Sequence, residues 1–284
     1  MTRRHALRSL VASLAAGWAP RLGAVATRQA PLQIAPSLDL LAAATGGDLE
    51  AQLAEAARRG FGAVDDALLL LREPEERDVL ADGLDQHALT VGTFLANSGY
   101  ADDGLAAGRA TAVRTLVDDV ETAVGVAQAV GTVHLTIIPG AKASDVDGFG
   151  EAPAGVREAA ELAGSAGRVL VVEALDRGRY PGILIGSADE AAAFCERVDH
   201  PACRVLFDAH QEPGPTAEAF DRVAAATAYV QLVAVAERPF SVPPPLARSL
   251  EAHGYVGYVG VDGLSLTADQ SRRVLDVCQA AQEH

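Results

Sequence analysis

Four oxygen-bearing side chains recur along the second half of this chain, each at the end of a short apolar run. They are Glu173 after Val169-Leu170-Val171-Val172, Asp208 after Val205-Leu206-Phe207, Gln231 after Tyr229-Val230, and Asp262 after Val259-Gly260-Val261. The gaps between them are 35, 23 and 31 residues. Three carboxylates and an amide form a hard, all-oxygen donor set, which suits Mg²⁺ or Mn²⁺ better than zinc. Three carboxylates gathered without a cation would repel one another or take up protons. The pattern therefore predicts a divalent-metal site built from Glu173, Asp208, Gln231 and Asp262.

A fold that positions such residues must bring successive strand ends to one place. Short β-branched runs alternate with amphipathic segments from one end of the chain to the other. Strands are expected at 32–35, 62–65, 90–95, 133–138, 168–173, 203–208, 228–233 and 258–262. Helices are expected at 48–59, 75–87, 105–130, 152–166, 187–197, 216–226, 244–253 and 268–281. Near-continuous apolar strands separated by helices indicate a parallel sheet covered by helices. Eight such units fit one closed (β/α)8 barrel, a TIM barrel, over residues 27–284. The runs ending in Glu173, Asp208, Gln231 and Asp262 are then its fifth to eighth strands, and catalytic groups project from the C-terminal ends of such strands. No G-x-G-x-x-G lies between a strand and a helix, so dinucleotide binding has no support.

Charge and composition narrow the function further. The formal net charge is −15, and an acidic chain repels the phosphates that nucleic-acid binding requires it to neutralise. A small-molecule substrate is the expected partner, with no nucleic acid and no membrane span; a homo-oligomer is left open. The first 26 residues carry Arg3, Arg4, Arg8 and Arg21 and no acid. Thr2-Arg3-Arg4-His5-Ala6-Leu7 resembles a twin-arginine export signal, the apolar run after it is short, and Ala24-Val25-Ala26 offers a small-x-small cleavage site. Residues 1–26 are accordingly expected to be a signal peptide, with the mature protein starting near Thr27 in the periplasm or outside the cell. Cys195, Cys203 and Cys278 fit no zinc spacing. Buried thiols are the expectation, with a short-loop Cys195–Cys203 disulfide as the alternative.

The second half also resembles the hydroxypyruvate isomerase family, within the wider xylose-isomerase-like superfamily of barrels. Val172-Glu173-Ala174-Leu175 followed by Tyr180-Pro181-Gly182, then Phe207-Asp208-Ala209-His210, Tyr229-Val230-Gln231 and the run Gly254 to Asp262 carry the likeness. It is specific from 170 to 262. The resemblance implies isomerisation through an enediolate, with Glu173 and Asp262 as base and acid. Asp208 and Gln231 would hold metal only, and His210 and Arg238 would contact substrate. The chain departs from the family in three places. Asp262 stands where Glu is usual, a reach shorter by about 1.5 Å. His210 follows Asp208 by two residues where three is the family's spacing, and Gln211 takes that position. The loop after Arg238 runs early into prolines.

Within the first half, the resemblance sets Asp65 where a Glu is common after the second strand, with Asp66 beside it; His134 reads as a core histidine and Lys142 as solvated. A ketose 3-epimerase or sugar-lyase relative is the second expectation. A non-catalytic exported barrel that binds a ligand is the third.

Overall fold

The computed structural model describes residues 32–99 and 101–283, so the expected signal peptide at 1–26 lies outside the described residues. The chain runs β1 (Gln33–Pro36), α1 (Leu38–Thr45), α2 (Leu49–Arg58), β2 (Ala63–Val64), α3 (Pro74–Gln86), β3 (Thr90–Val91), β4 (Thr93–Ser98), α4 (Ala110–Val130) and β5 (His134–Ile138). It continues through α5 (Ala152–Ser165), β6 (Val169–Glu173), α6 (Ala188–Val198), β7 (Cys203–Asp208), α7 (Thr216–Val223), β8 (Thr227–Val235), α8 (Pro244–Ala252), β9 (Tyr258–Leu264) and α9 (Ala268–Gln282).

Every strand pairing is parallel. One sheet has the order β1-β9-β8-β7-β6-β5-β4, and β2 pairs with β3. The two join into a ring. Ser37, just past β1, bridges Asp65, just past β2. On the other side β3 and β4 are one strand interrupted at Gly92, whose N–H donates to the Val64 carbonyl at 2.9 Å. The expected eight strands and the (β/α)8 barrel are thus present, the third strand being broken by one residue.

The helices depart from expectation at α1 and at α4, and α7 ends at Val223 rather than 226. An additional helix, α1, follows β1 directly, its first turn capped by the Ser37 hydroxyl, which accepts from the Leu40 N–H at 3.1 Å. The expected helix at 105–130 starts only at Ala110. Ahead of it the chain is wound into turns, with Asp102 Oδ1 accepting from the Gly104 N–H at 2.8 Å. A short polar side chain that bonds its own backbone in this way favours turns over helix.

Alternation along the strands separates two apolar layers. Leu170, Val172, Val205, Phe207, Val230, Val259 and Val261 join the large core under the helices. Phe207 meets Phe220 of α7 edge-on at 5.4 Å between ring centroids. Val171, Leu206 and Tyr229 instead form a small separate cluster inside the barrel. Each lies two residues before Glu173, Asp208 and Gln231 respectively, so those three side chains stand one layer above it on the same inner face. Burying the three inner side chains fixes the height of the layer above them.

Candidate active site

Strand register places the four expected donors at one level. Glu173 pairs with Leu206, Asp208 with Gln231, and Gln231 with Gly260. From Glu173 to Asp262 the donors therefore climb four positions while crossing three strands. An eight-stranded barrel of shear 8 staggers by about one residue per strand, so this climb holds them within about one residue of a common height. All four line one cavity of about 270 Å³ at the C-terminal mouth, together with Asp65, Thr93, Thr136, Arg179, Tyr180, His210 and Gln211.

Their environments differ. The Glu173 side chain forms no hydrogen bond or ion pair with any described residue. Burial, reinforced by the nearby Asp208 charge, pushes its carboxyl up to about 8. Asp208 is raised to about 7, again chiefly by burial; the His210 N–H, donating to Oδ1 at 2.8 Å, and the Arg179 charge pull the other way. Asp262 is turned toward β1, its Oδ1 accepting from Ser37 Oγ at 2.9 Å and from the Gly263 N–H at 2.7 Å. Gln231 lies between the Asp208 and Asp262 strands with its amide engaged by no described residue.

These residues fit a hard divalent cation in donor chemistry. A half-buried carboxylate without a partner, a second one held partly protonated and an uncommitted amide share one cavity, and such a set is relieved by positive charge. Among the described residues no group of three or more His, Cys, Asp or Glu side chains is placed so as to hold a metal ion. The Asp262 hydrogen bonds to Ser37 and Gly263 hold that donor on the β1 side.

Beneath the mouth, Asp65 is a buried acid. Its Oδ1 and Oδ2 accept from the Tyr229 hydroxyl at 2.6 and 2.9 Å, and Oδ1 also accepts from the Thr93 N–H at 3.1 Å. Burial raises it to about 7 against those hydrogen bonds, with Asp262 and Asp66 adding to the rise. Two glycines make room for the pair. A Cβ at Gly92 would meet Asp65 Oδ1 and the Tyr229 hydroxyl, each at 2.5 Å, and one at Gly260 would meet Asp65 Oδ2. Asp66 points elsewhere, to Arg72 at 2.6 Å. Asp65, Asp66, Gln231 and Asp262 also line a second lobe of about 280 Å³ beside the first.

The remaining expected residues are placed as follows. His210 lines the mouth, its ring held below the usual imidazole range by burial and by the charges of Arg179 and Arg238. It also lines the adjoining groove to which Arg238 belongs, and Arg238 does not itself line the mouth. His134 is half-buried on the inner face, its ring tilted against Tyr229 at 5.4 Å. Lys142 is exposed beyond β5. Cys195, Cys203 and Cys278 are buried free thiols.

Arg179 is the residue that sequence reasoning passed over. It lies in the loop after β6, donates to the His210 carbonyl at 2.6 Å and to Asp176 Oδ2 at 3.4 Å, and lines the acidic mouth. The loop is itself pinned, since the Asp176 N–H donates to Gln211 Oε1 at 3.1 Å. The signal was the Arg density in Asp176-Arg177-Gly178-Arg179, immediately after a candidate ligand.

Residues 53–263 match the xylose isomerase-like TIM barrel family, and the chain belongs to it. Several solved structures share the fold. A family 2 AP endonuclease from Brucella melitensis superposes with a TM-score of 0.65 at 23% identity, covering 85% of this chain and 96% of that one. D-psicose 3-epimerase from Clostridium cellulolyticum H10 gives 0.68 at 16%, covering 89% and 97%. The 3-keto-D-glucoside 4-epimerase of E. coli gives 0.69 at 16%, covering 89% and 100%. No curated protein sequence matches the chain. Among the described residues no helix is long and apolar enough to cross a membrane.

Proposed function

We propose that the protein is a metal-dependent isomerase or epimerase of a small hydroxycarbonyl compound, a hydroxy-keto acid or a sugar. The observation that carries this reading is Glu173, a half-buried carboxylate with no partner among the described residues, set beside Asp208 in a mouth that also holds Gln231 and Asp262. Sugar epimerases on the same fold are in keeping with it. The likeness of the 170–262 segment to hydroxypyruvate isomerases favours a hydroxy-keto acid within this class.

Glu173, Asp208, Gln231 and Asp262 would hold Mg²⁺ or Mn²⁺, with Asp262 giving up Ser37 to do so. A bound divalent cation supplies Lewis acidity, polarising a carbonyl and lowering the pKa of the neighbouring C–H. The protein's own groups do the rest. Glu173, once ionised, removes the proton from the carbon beside the carbonyl, and Asp262 returns a proton across the substrate. His210 orients a hydroxyl. Arg179 is pinned at two points in the mouth and receives a carboxylate there through charge-assisted hydrogen bonds. Arg238 takes the far end of a longer substrate that reaches past His210 into the adjoining groove.

Two measurements test the proposal. Purified protein should contain a divalent metal, and it should exchange substrate C–H for deuterium with hydroxypyruvate or a simple ketose. Metal with no exchange on either substrate would support a ligand-binding barrel, and absence of both would refute the proposal. Export belongs to the same reading: the secreted protein should begin near Thr27, and an uncleaved cytosolic product would contradict it.

A further inference from the structure

At the opposite end of the barrel from the mouth, two cysteines meet. Cys195 sits in the last turn of α6 and Cys203 opens β7, with Asp199 to Ala202 between these elements. Their Sγ atoms are 3.7 Å apart, the Cys203 thiol donating to Cys195. The backbone holds them in place. The Asp199 N–H donates to the Cys195 carbonyl at 3.1 Å, and the Cys203 N–H to the His200 carbonyl at 3.0 Å. Asp199 takes a left-handed conformation, φ 50°, that turns the chain back within these few residues. Both thiols are buried at 8% and 3% exposure, yet both line a surface groove of about 480 Å³ with Glu196, His200 and Arg204. Cys278 is in α9 and lines no part of this groove.

We propose that Cys195 and Cys203 are an oxidisable dithiol that closes into a disulfide when the protein meets a disulfide-type oxidant. A shift of about 1.7 Å brings the sulfurs from 3.7 Å to bonding distance. The oxidant is a small-molecule or protein disulfide. One cysteine, as thiolate, attacks it and releases one oxidant thiol, leaving a mixed disulfide. The second cysteine then attacks its neighbour's sulfur and releases the other oxidant thiol. Two cysteine thiols lose two electrons and two protons, and the oxidant disulfide gains them as two thiols. The groove admits the oxidant, and the pinned loop keeps the second thiol beside the first.

The bond would tie the end of α6 to the start of β7. Asp208 lies at the far end of β7, five residues and about 16 Å of strand from Cys203. In barrels of this kind the N-terminal face serves stability and the C-terminal face serves chemistry. The link therefore acts on stability and leaves the mouth unchanged.

The test uses the full-length protein, reduced and then incubated with excess oxidised glutathione. After denaturation, alkylation should label one cysteine rather than three, and a peptide map should show Cys195 joined to Cys203 with Cys278 alkylated. The oxidised protein should melt roughly 5 °C above the reduced one, from closing a short loop in the unfolded chain. Cys203→Ser and Cys195→Ser should melt at the same temperature with and without reductant. Three labels after oxidation, a glutathione adduct that never resolves, or a bridge involving Cys278 would each overturn the proposal. If a serine variant fails to fold, the labelling of the wild-type chain decides alone.

Discussion

Loading the mouth with a divalent cation should release protons, and the structure fixes roughly how many. Without a cation, burial and the Asp208 charge hold Glu173 at about 8, and burial with the Asp262 and Glu212 charges holds Asp208 at about 7. At pH 7 Glu173 is then about nine-tenths protonated and Asp208 about half. A metal ligand must be deprotonated, so binding expels about 1.4 protons per cation at pH 7 and about 0.1 at pH 9. Apparent affinity should correspondingly rise about tenfold from pH 7 to 8 and flatten above 9. Calorimetric titration of Mn²⁺ into metal-free protein, run at pH 7 in two buffers of different ionisation enthalpy, reads the proton count directly. Release of under about 0.3 proton, or an affinity flat between pH 6 and 8, would refute the argument that these two acids are the ligands.

Other expectations follow from the same geometry. For Glu173→Gln, deuterium exchange into substrate should disappear. The metal-free variant should also be the more stable at pH 9. The folded pKa of Glu173 is raised from 4.5 to about 8, so its cost is absent below pH 4.5 and fully present above 8; denaturant midpoints that do not converge toward pH 4 would contradict this. Tyr229→Phe removes both hydroxyl contacts to Asp65 and should cost about 1.5–3 kcal/mol of unfolding free energy, falling to about 0.5–1.5 kcal/mol in an Asp65→Asn background, where a neutral acceptor remains. Asp262→Glu restores about 1.5 Å of reach and should raise the exchange rate about tenfold; an unchanged rate would show that length is not what limits Asp262. Arg179→Ala should raise KM for a carboxylate substrate tenfold or more and leave a neutral ketose unaffected, and equal losses on both would deny it that role.

Much of the barrel is legible in the residues. The inner and outer faces of β6 to β9 follow from alternation, and the four donors follow from their place at strand ends. Register could not be read, because it depends on pairing between distant segments, and it is register that sets the donors at one height. The break at Gly92 was hidden for the same reason: a glycine in a strand is ambiguous until the Asp65 and Tyr229 side chains are seen pressing against it. Asp65 was visible as a strand-end acid, but its partner lies 164 residues away. Ser37 capping α1 and Arg179 in the mouth lay in segments that read as loop, where only tertiary contacts distinguish a positioned side chain from a solvated one.

The way the ring closes has a mechanical consequence. Adjacent strands elsewhere share at least four paired positions, whereas β2 and β3 share two and β1 meets β2 through the Ser37–Asp65 bridge. The hoop is thus laced most loosely at one seam. The residue that fastens it is also the buried acid beneath the mouth, its backbone accepting from Leu38 while its side chain holds Tyr229 across the barrel. Charge placed on or taken from the floor of the mouth is felt by the fastening itself. The charges of Asp262 and Asp66 already reach that fastening residue.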